Sequence, residues 1–260
     1  MNPAFERYVG IDYSGAQTPT ASPKGLRIYE ADRLTAPQEV QPPPSPRKYW
    51  TRKEIAEWLV ARFSDGPPTM VGIDHGFSFP LQYFEKYGLP LDWSSFLDDF
   101  QRHWPTDEDI YVDFVRDGSS GNGAARSGNS RWRRLTELRT RTAKSVFQFD
   151  VQGSVAKSTH AGIPWLRYIR LNATDRVHFW PFDGWSEPPN RSVVAEVYPS
   201  LWSRTFPSTG RTRDQQDAYA IAEWLRRADA DGSLQKFLNP KLEPHERKTA
   251  EIEGWILGVV

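Results

Sequence analysis

Apolar runs and alternations divide the first third of the chain into strand, loop, helix and strand. Residues 8–13 (Tyr-Val-Gly-Ile-Asp-Tyr) form a short buried-strand run, and residues 25–31 (Gly-Leu-Arg-Ile-Tyr-Glu-Ala) alternate apolar and polar positions. The Thr/Pro/Ser-rich stretch between them predicts an antiparallel hairpin. Residues 35–50, TAPQEVQPPPSPRKYW, predict a surface loop, because proline lacks the backbone donor and clashes inside a helix. Thr51 and Glu54 make a capping box, and Ile55, Leu59 and Phe63 repeat at helical spacing until Ser-Asp-Gly-Pro-Pro stops the helix. Met70 to Asp74 is a second buried strand that again ends in Gly-Ile-Asp.

From residue 75 to about 145 this rhythm is interrupted, which marks an insertion within one domain spanning 1–260. LDWSSFLDDFQRHW places Trp93, Phe96, Leu97, Phe100 and Trp104 on one helical stripe, and TDEDIYVDFVRDG predicts a further short helix. A Gly/Ser/Asn-rich stretch then leads into a basic one, with Arg126, Arg131, Arg133, Arg134, Arg139, Arg141 and Lys144 against Glu137 alone; it predicts a flexible basic arm. Beyond it, SVAKSTHAGIPWLRYIR predicts a helix interrupted near Pro164, RVHFWPF a short strand, and RSVVAEVYPSLW a strong strand through Val193, Val194 and Val197. RDQQDAYAIAEWLRRAD and PHERKTAEIEGWILGVV predict closing helices.

Thirty-three acidic and 33 basic residues cancel, so attraction to nucleic acid or to a membrane surface must come from local patches. The absence of cysteine removes disulfides, thiolate nucleophiles and zinc–cysteine sites. With no apolar run near the ~20 residues of a membrane span, a cytoplasmic enzyme is expected. GSVAKST has phosphate-loop flavour, but Val151 and Ala156 occupy the positions of that loop's two glycines, which excludes it.

The carboxylates change the picture. Asp12 and Asp74 close two buried strands in matching contexts, Glu196 lies in a third, and Asp214 and Asp217 share one face of a late helix. Sites in mostly parallel sheets form beyond the carboxyl ends of the strands. If the first two strands are parallel neighbours, Asp12 and Asp74 repel unless a divalent cation sits between them. Oxygen ligands alone favour magnesium or manganese. Each acid also has a plainer reading: turn or cap for Asp12 and Asp74, helix N-cap for Asp214, dipole partner for Asp217, and for Glu196 an ion pair with Arg204 or Arg213. Gly10 and Gly15 leave room for the backbone to meet a phosphate or metal-bound water.

An acid in the first strand, an acid ending the strand after the first helix, and the late DQQDAYAIAEWL resemble the ribonuclease-H-like nuclease fold, and the Asp-x-x-Asp helix is similar to that of RuvC-type Holliday-junction resolvases. GIDYSG, GIDHGFSFP, AGIPWL, VVAEVYPSLW, DQQDAYA and EGWILG together resemble an uncharacterised family of predicted ribonuclease-H-like nucleases, from the first strand to the C-terminus. The resemblance implies an α/β fold with a mixed sheet, an early antiparallel hairpin followed by parallel strands, flanked by helices and carrying the helical insertion. It makes Asp12, Asp74, Asp214 and Asp217 the site acids, and it aligns Glu196 with a Glu-Val-x-Pro motif of the uncharacterised family that the resolvases lack.

The expected activity is phosphodiester hydrolysis of DNA or RNA with two Mg²⁺ or Mn²⁺ ions about 4 Å apart. Asp12, Asp74 and Asp217 are then the metal ligands, with Asp214 and Glu196 in support. Arg131, Arg133 and Arg134, with Trp132 as a stacking ring, carry the nucleic-acid backbone. Two other readings stay open: an ATP-dependent phosphotransferase of the actin and sugar-kinase type, with GIDYSGAQT around a phosphate, and a non-catalytic scaffold whose aromatic insertion is its interface.

Overall fold

In a computed structural model, which describes residues 3–140 and 142–260, both Gly-Ile-Asp segments end strands of one sheet. Strand β1 (Arg7–Asp12) pairs antiparallel with β2 (Arg27–Asp32), whose outer edge carries the two-residue β3 (Gln38–Glu39) inside the proline-rich loop. Helix α1 (Arg52–Asp65) starts at the Thr51–Glu54 capping box and leads to β4 (Thr69–Asp74), which lies parallel to β1. The sheet is completed by β5 (Val177–Trp180) and β6 (Ser192–Glu196), parallel to each other and to β4, giving the order β3-β2-β1-β4-β6-β5. The chain is therefore α/β with a mixed six-stranded sheet: a hairpin first, then parallel strands.

Period-two alternation assigns each strand residue to a face. Val9, Ile11, Val71, Ile73 and Val194 enter a core shared with α1 and with α6 (Ala156–Ala173). Tyr8, Met70, Val193 and Ala195 face the opposite side, where α7 (Arg213–Ala230) contributes Ile221 and Leu225 and where α8 (Leu234–Leu238) and α9 (Pro244–Glu253) also pack. On this second side Gly10 and Gly72 let α7 come close. A Cβ built on Gly10 meets the Ala218 carbonyl oxygen at 2.2 Å and the Ala222 nitrogen at 2.7 Å, and one on Gly72 meets Ile221 Cγ2 at 2.6 Å. Gly10→Ala is expected to destabilise the protein by about 1–3 kcal/mol, toward the upper end because the obstructing atoms are helix backbone. Urea unfolding should show a lower midpoint with an unchanged slope.

Residues 75–145 supply α2 (Leu81–Tyr87), α3 (Trp93–His103), α4 (Val112–Arg116) and α5 (Leu135–Arg139). The aromatic stripe of α3 is buried against the first core. The basic segment is not a free arm. Arg134, Thr136 and Glu137 are buried, and the Leu135 amide donates to Glu253 Oε2 at 2.6 Å while the Ile256 amide donates to Thr136 Oγ1 at 2.9 Å. Arg141 lies outside the described residues.

Two other expectations are corrected. Helix α6 runs unbroken through Pro164, because the His160 carbonyl that the missing proline N–H would have served accepts the Thr106 hydroxyl instead. The last helix ends at Glu253: Gly254 has φ 80°, and the chain turns back so that Leu257 bridges Val197 beside β6. No helix among the described residues is long and apolar enough to cross a membrane.

Candidate active site

Register pairing sets Asp12 of β1 directly against Asp74 of β4. Adjacent strands lie about 4.8 Å apart, so two carboxylates leave neighbouring strand ends together. Both follow a glycine by two residues and so share its face, the one α7 covers. Ala218, Ile221 and Ala222 of α7 sit over Gly10, which brings the preceding turn, with Asp214 and Asp217, over the strand ends. The cap of α7 is Thr212, whose side chain accepts from the Gln215 amide. Asp214 therefore does not cap its own helix, and its carboxylate is left to the cleft.

Electrostatics report this crowding. Burial, followed by the charges of Asp74, Asp214 and Asp217, raises the Asp12 carboxyl well above the usual carboxylate range. Asp74 is raised by burial, then by Asp217 and Glu196. Asp217 is raised by burial and by Asp214, against the Ser203 hydroxyl and Arg213, whose Nε is 3.8 Å from Asp217 Oδ2. Asp74 Oδ1 is shielded from solvent and has no hydrogen-bond partner among the described residues.

Asp12, Asp74, Asp214 and Asp217 line a cleft of about 1000 Å³. Its walls come from the hairpin turn (Ser14, Gly15), the start of α6 (Lys157, Ser158), Tyr111 and Lys144. Of the two glycines of the first motif, Gly15 lines the cleft and Gly10 does not. Gly10 admits α7, and a Cβ on Gly15 meets the Lys157 carbonyl oxygen at 2.2 Å, so this glycine seats the turn on α6.

The remaining sequence candidates sort differently. Glu196 is buried and engaged at both oxygens: Arg134 donates through NH2 to Oε1 at 2.6 Å and through NH1 to Oε2 at 2.7 Å, and the Phe77 amide donates to Oε2 at 3.1 Å. The charge that compensates Glu196 is thus Arg134, not Arg204 or Arg213. Arg134 itself is 0 % exposed and also donates through Nε to Glu137 Oε1 at 2.9 Å, so it is no surface phosphate contact. Arg133 turns inward to the carbonyls of Glu137 and Ala143. Trp132 packs on the core, and Arg131 is exposed. None of these four lines the cleft; of the basic run, Lys144 does.

Sequence reasoning missed Lys157, which stands in the very segment set aside as a failed phosphate loop, and Tyr111, whose 43 % exposure is unusual for so large a ring. Arg213, considered only as an ion-pair partner of Glu196, instead opposes Asp217 at the cleft.

Among the described residues no three His, Cys, Asp or Glu side chains are already arranged as a metal cage. The donor set nevertheless suits a hard cation. It is all oxygen, two of its carboxylates are register partners, and Asp74 Oδ1 is buried without a partner among the described residues. Magnesium typically takes one or two carboxylates and completes its shell with water and substrate phosphate, so it does not require a closed protein cage. No protein-family model matches the chain, and neither the curated proteins nor the solved structures include a significant match.

Proposed function

We propose that the protein is a ribonuclease-H-like, divalent-cation-dependent nuclease that hydrolyses phosphodiester bonds of nucleic acid. The carrying observation is the register pairing of Asp12 with Asp74 beneath the acidic first turn of α7. Four acids lining one cleft, with burial and mutual repulsion raising the carboxyls of Asp12 and Asp74, make an arrangement whose charge calls for a counter-ion. Asp12 and Asp74 would hold Mg²⁺ or Mn²⁺ ions with Asp217, while Asp214 adds negative charge from the opposite wall. Two such ions, when bound, supply Lewis-acid activation of water and neutralisation of the phosphate.

The chain's own residues perform the rest. Lys144, Lys157 and Arg213 line the same space; Arg213 is the least engaged of the three and can meet phosphate oxygens, while Lys144 and Lys157 already reach the Gln152 carbonyl and Asp113. Glu196, neutralised by Arg134, holds the strand end beside Asp74. The nucleic-acid partner belongs to the same proposal: bound cations would let the phosphates of a polymer approach an acidic floor that otherwise repels them.

Calorimetric titration with Mn²⁺, followed by incubation with end-labelled DNA and RNA, tests the reading. The wild-type protein is expected to bind Mn²⁺ and to cleave at least one of the two polymers. Asp74→Asn is expected to weaken Mn²⁺ binding by at least about tenfold. Absence of both Mn²⁺ binding and cleavage overturns the proposal.

A further inference from the structure

The acid cleft does not end at Asp217. Tyr198, Ser200, Arg213 and Asp217 also line a second basin of about 720 Å³, which continues past Ser203, Arg204, Phe206 and Ser208. The two basins form one groove with the acids in its first half. Half-buried Tyr198 stands at the junction and Phe206 in the second basin, backed by the Arg227 guanidinium 5.1 Å from its ring centre. At the other side of the acids Tyr111 pairs with Phe114 at 5.2 Å, both rings more than two-fifths exposed.

The charges of this groove are few. Lys157 is held by Asp113 at 2.7 Å and Lys144 by the Gln152 carbonyl at 2.6 Å. Arg204 is exposed, with no hydrogen bond to another described residue, and the side chain of Arg213 is 80 % exposed, with only the 3.8 Å approach to Asp217. The guanidiniums of Arg133, Arg134 and Arg139 are spent on internal carbonyls, on Glu196 and Glu137, and on Glu246. Duplex binding draws its affinity from many phosphate contacts on two strands, and this chain has zero net charge and few uncommitted cations here. A single strand needs fewer phosphates and gains from aromatic faces on which unpaired bases stack. Hydroxyls of Ser200 and Ser208 along the same groove suit a sugar–phosphate chain.

We infer that the groove takes a single, unpaired nucleic-acid strand, threaded from Phe206 past Tyr198 and over the acids toward Tyr111. The inference rests on the nuclease reading for the chemistry but not for the binding. Arg204 supplies a phosphate contact away from the acids, and Tyr198 a stacking face.

Fluorescence anisotropy in EDTA separates binding from cleavage, with labelled oligo(dT), oligo(U) and a blunt duplex of equal length as probes. The acids repel every probe under these conditions, so the ratio between probes is the quantity read. At least one single strand is expected to bind about tenfold or more tightly than the duplex, and the tighter of the two names the sugar the groove accepts. Tyr198→Ala is expected to lose about tenfold in strand affinity, with Tyr198→Phe restoring it. Arg204→Ala should reduce the slope of log affinity against log salt by about 0.7, with Arg204→Lys keeping the slope. Circular dichroism confirms that each variant is folded, and Phe206→Ala gives an independent second loss. A duplex bound as tightly as both strands, or strand affinity untouched in folded Tyr198→Ala and Phe206→Ala, overturns the inference even if Mn²⁺-dependent cleavage persists. Strand preference with neither Mn²⁺ binding nor cleavage instead removes the nuclease reading and leaves the groove assigned.

Discussion

Replacing Asp12 by asparagine is expected to abolish metal-dependent cleavage and, in the same protein, to raise the melting temperature measured in EDTA at neutral pH. The first effect should exceed about 100-fold, since even residues that merely support a metal ligand cost 10–100-fold. The second follows from the sign of the pKa shift. Burial and three neighbouring acids lift the native Asp12 above its ordinary value of 3.8. The folded state therefore holds a proton at pH values where the unfolded chain has released it, and metal-free stability falls as pH rises from about that value through the raised native one. Asparagine keeps the shape and removes the charge, so the variant escapes this penalty. Mn²⁺ should then stabilise the wild type more than Asp12→Asn, because only the former keeps all its ligands. Thermal unfolding from acid to neutral pH, with and without Mn²⁺, reads both effects. A variant that cleaves as the wild type does sinks the catalytic assignment, and one that melts lower in EDTA shows that the native charge is already compensated.

This site was legible because two local rules coincide in three residues. Gly-Ile-Asp puts a glycine and an acid on the same strand face, and the glycine is what allows α7 to lie close enough to bring Asp214 and Asp217 over Asp12. The period of the strands and the 3-residue spacing on the helix are both visible in one dimension, so the hairpin, the strands and the acidic cluster could be placed from the sequence. Arg134 was not legible for the complementary reason. Its partner Glu196 is 62 residues away, and a run of arginines reads as a solvated surface until a fold commits one of them to the interior. Pro164 failed similarly: the hydroxyl that relieves its missing bond comes from Thr106, in a different segment. The short β3 could not emerge from a proline-rich loop, because only the exposed edge of β2 makes two of its residues a strand.

Arg134→Ala is expected to cost about 3–5 kcal/mol, the usual consequence of removing one partner from a buried ion network. For a domain of this size that lowers the melting temperature on the order of 10 °C. The reason is in the geometry. One guanidinium serves two buried carboxylates, with Nε on Glu137 and both terminal nitrogens on Glu196, while NH1 also reaches the Glu253 carbonyl at 3.3 Å. Without it, Glu137 and Glu196 face each other uncompensated. Lysine should not rescue, since a single ammonium cannot reproduce three N–H directions in one plane. The same bonds tie the start of α5 to the end of α9 and to the end of β6, where Glu196 is the register partner of Ile73, next to Asp74. Cleavage by the folded fraction should therefore fall with a preserved Mn²⁺ requirement, as positioning is lost while the acids remain. A phosphate-binding arginine behaves in the opposite way: its loss leaves the melting temperature unchanged and lowers the salt dependence of nucleic-acid binding. An Arg134→Ala protein of wild-type stability with a reduced salt slope would return this residue to the substrate surface and require Glu196 to find another counter-charge.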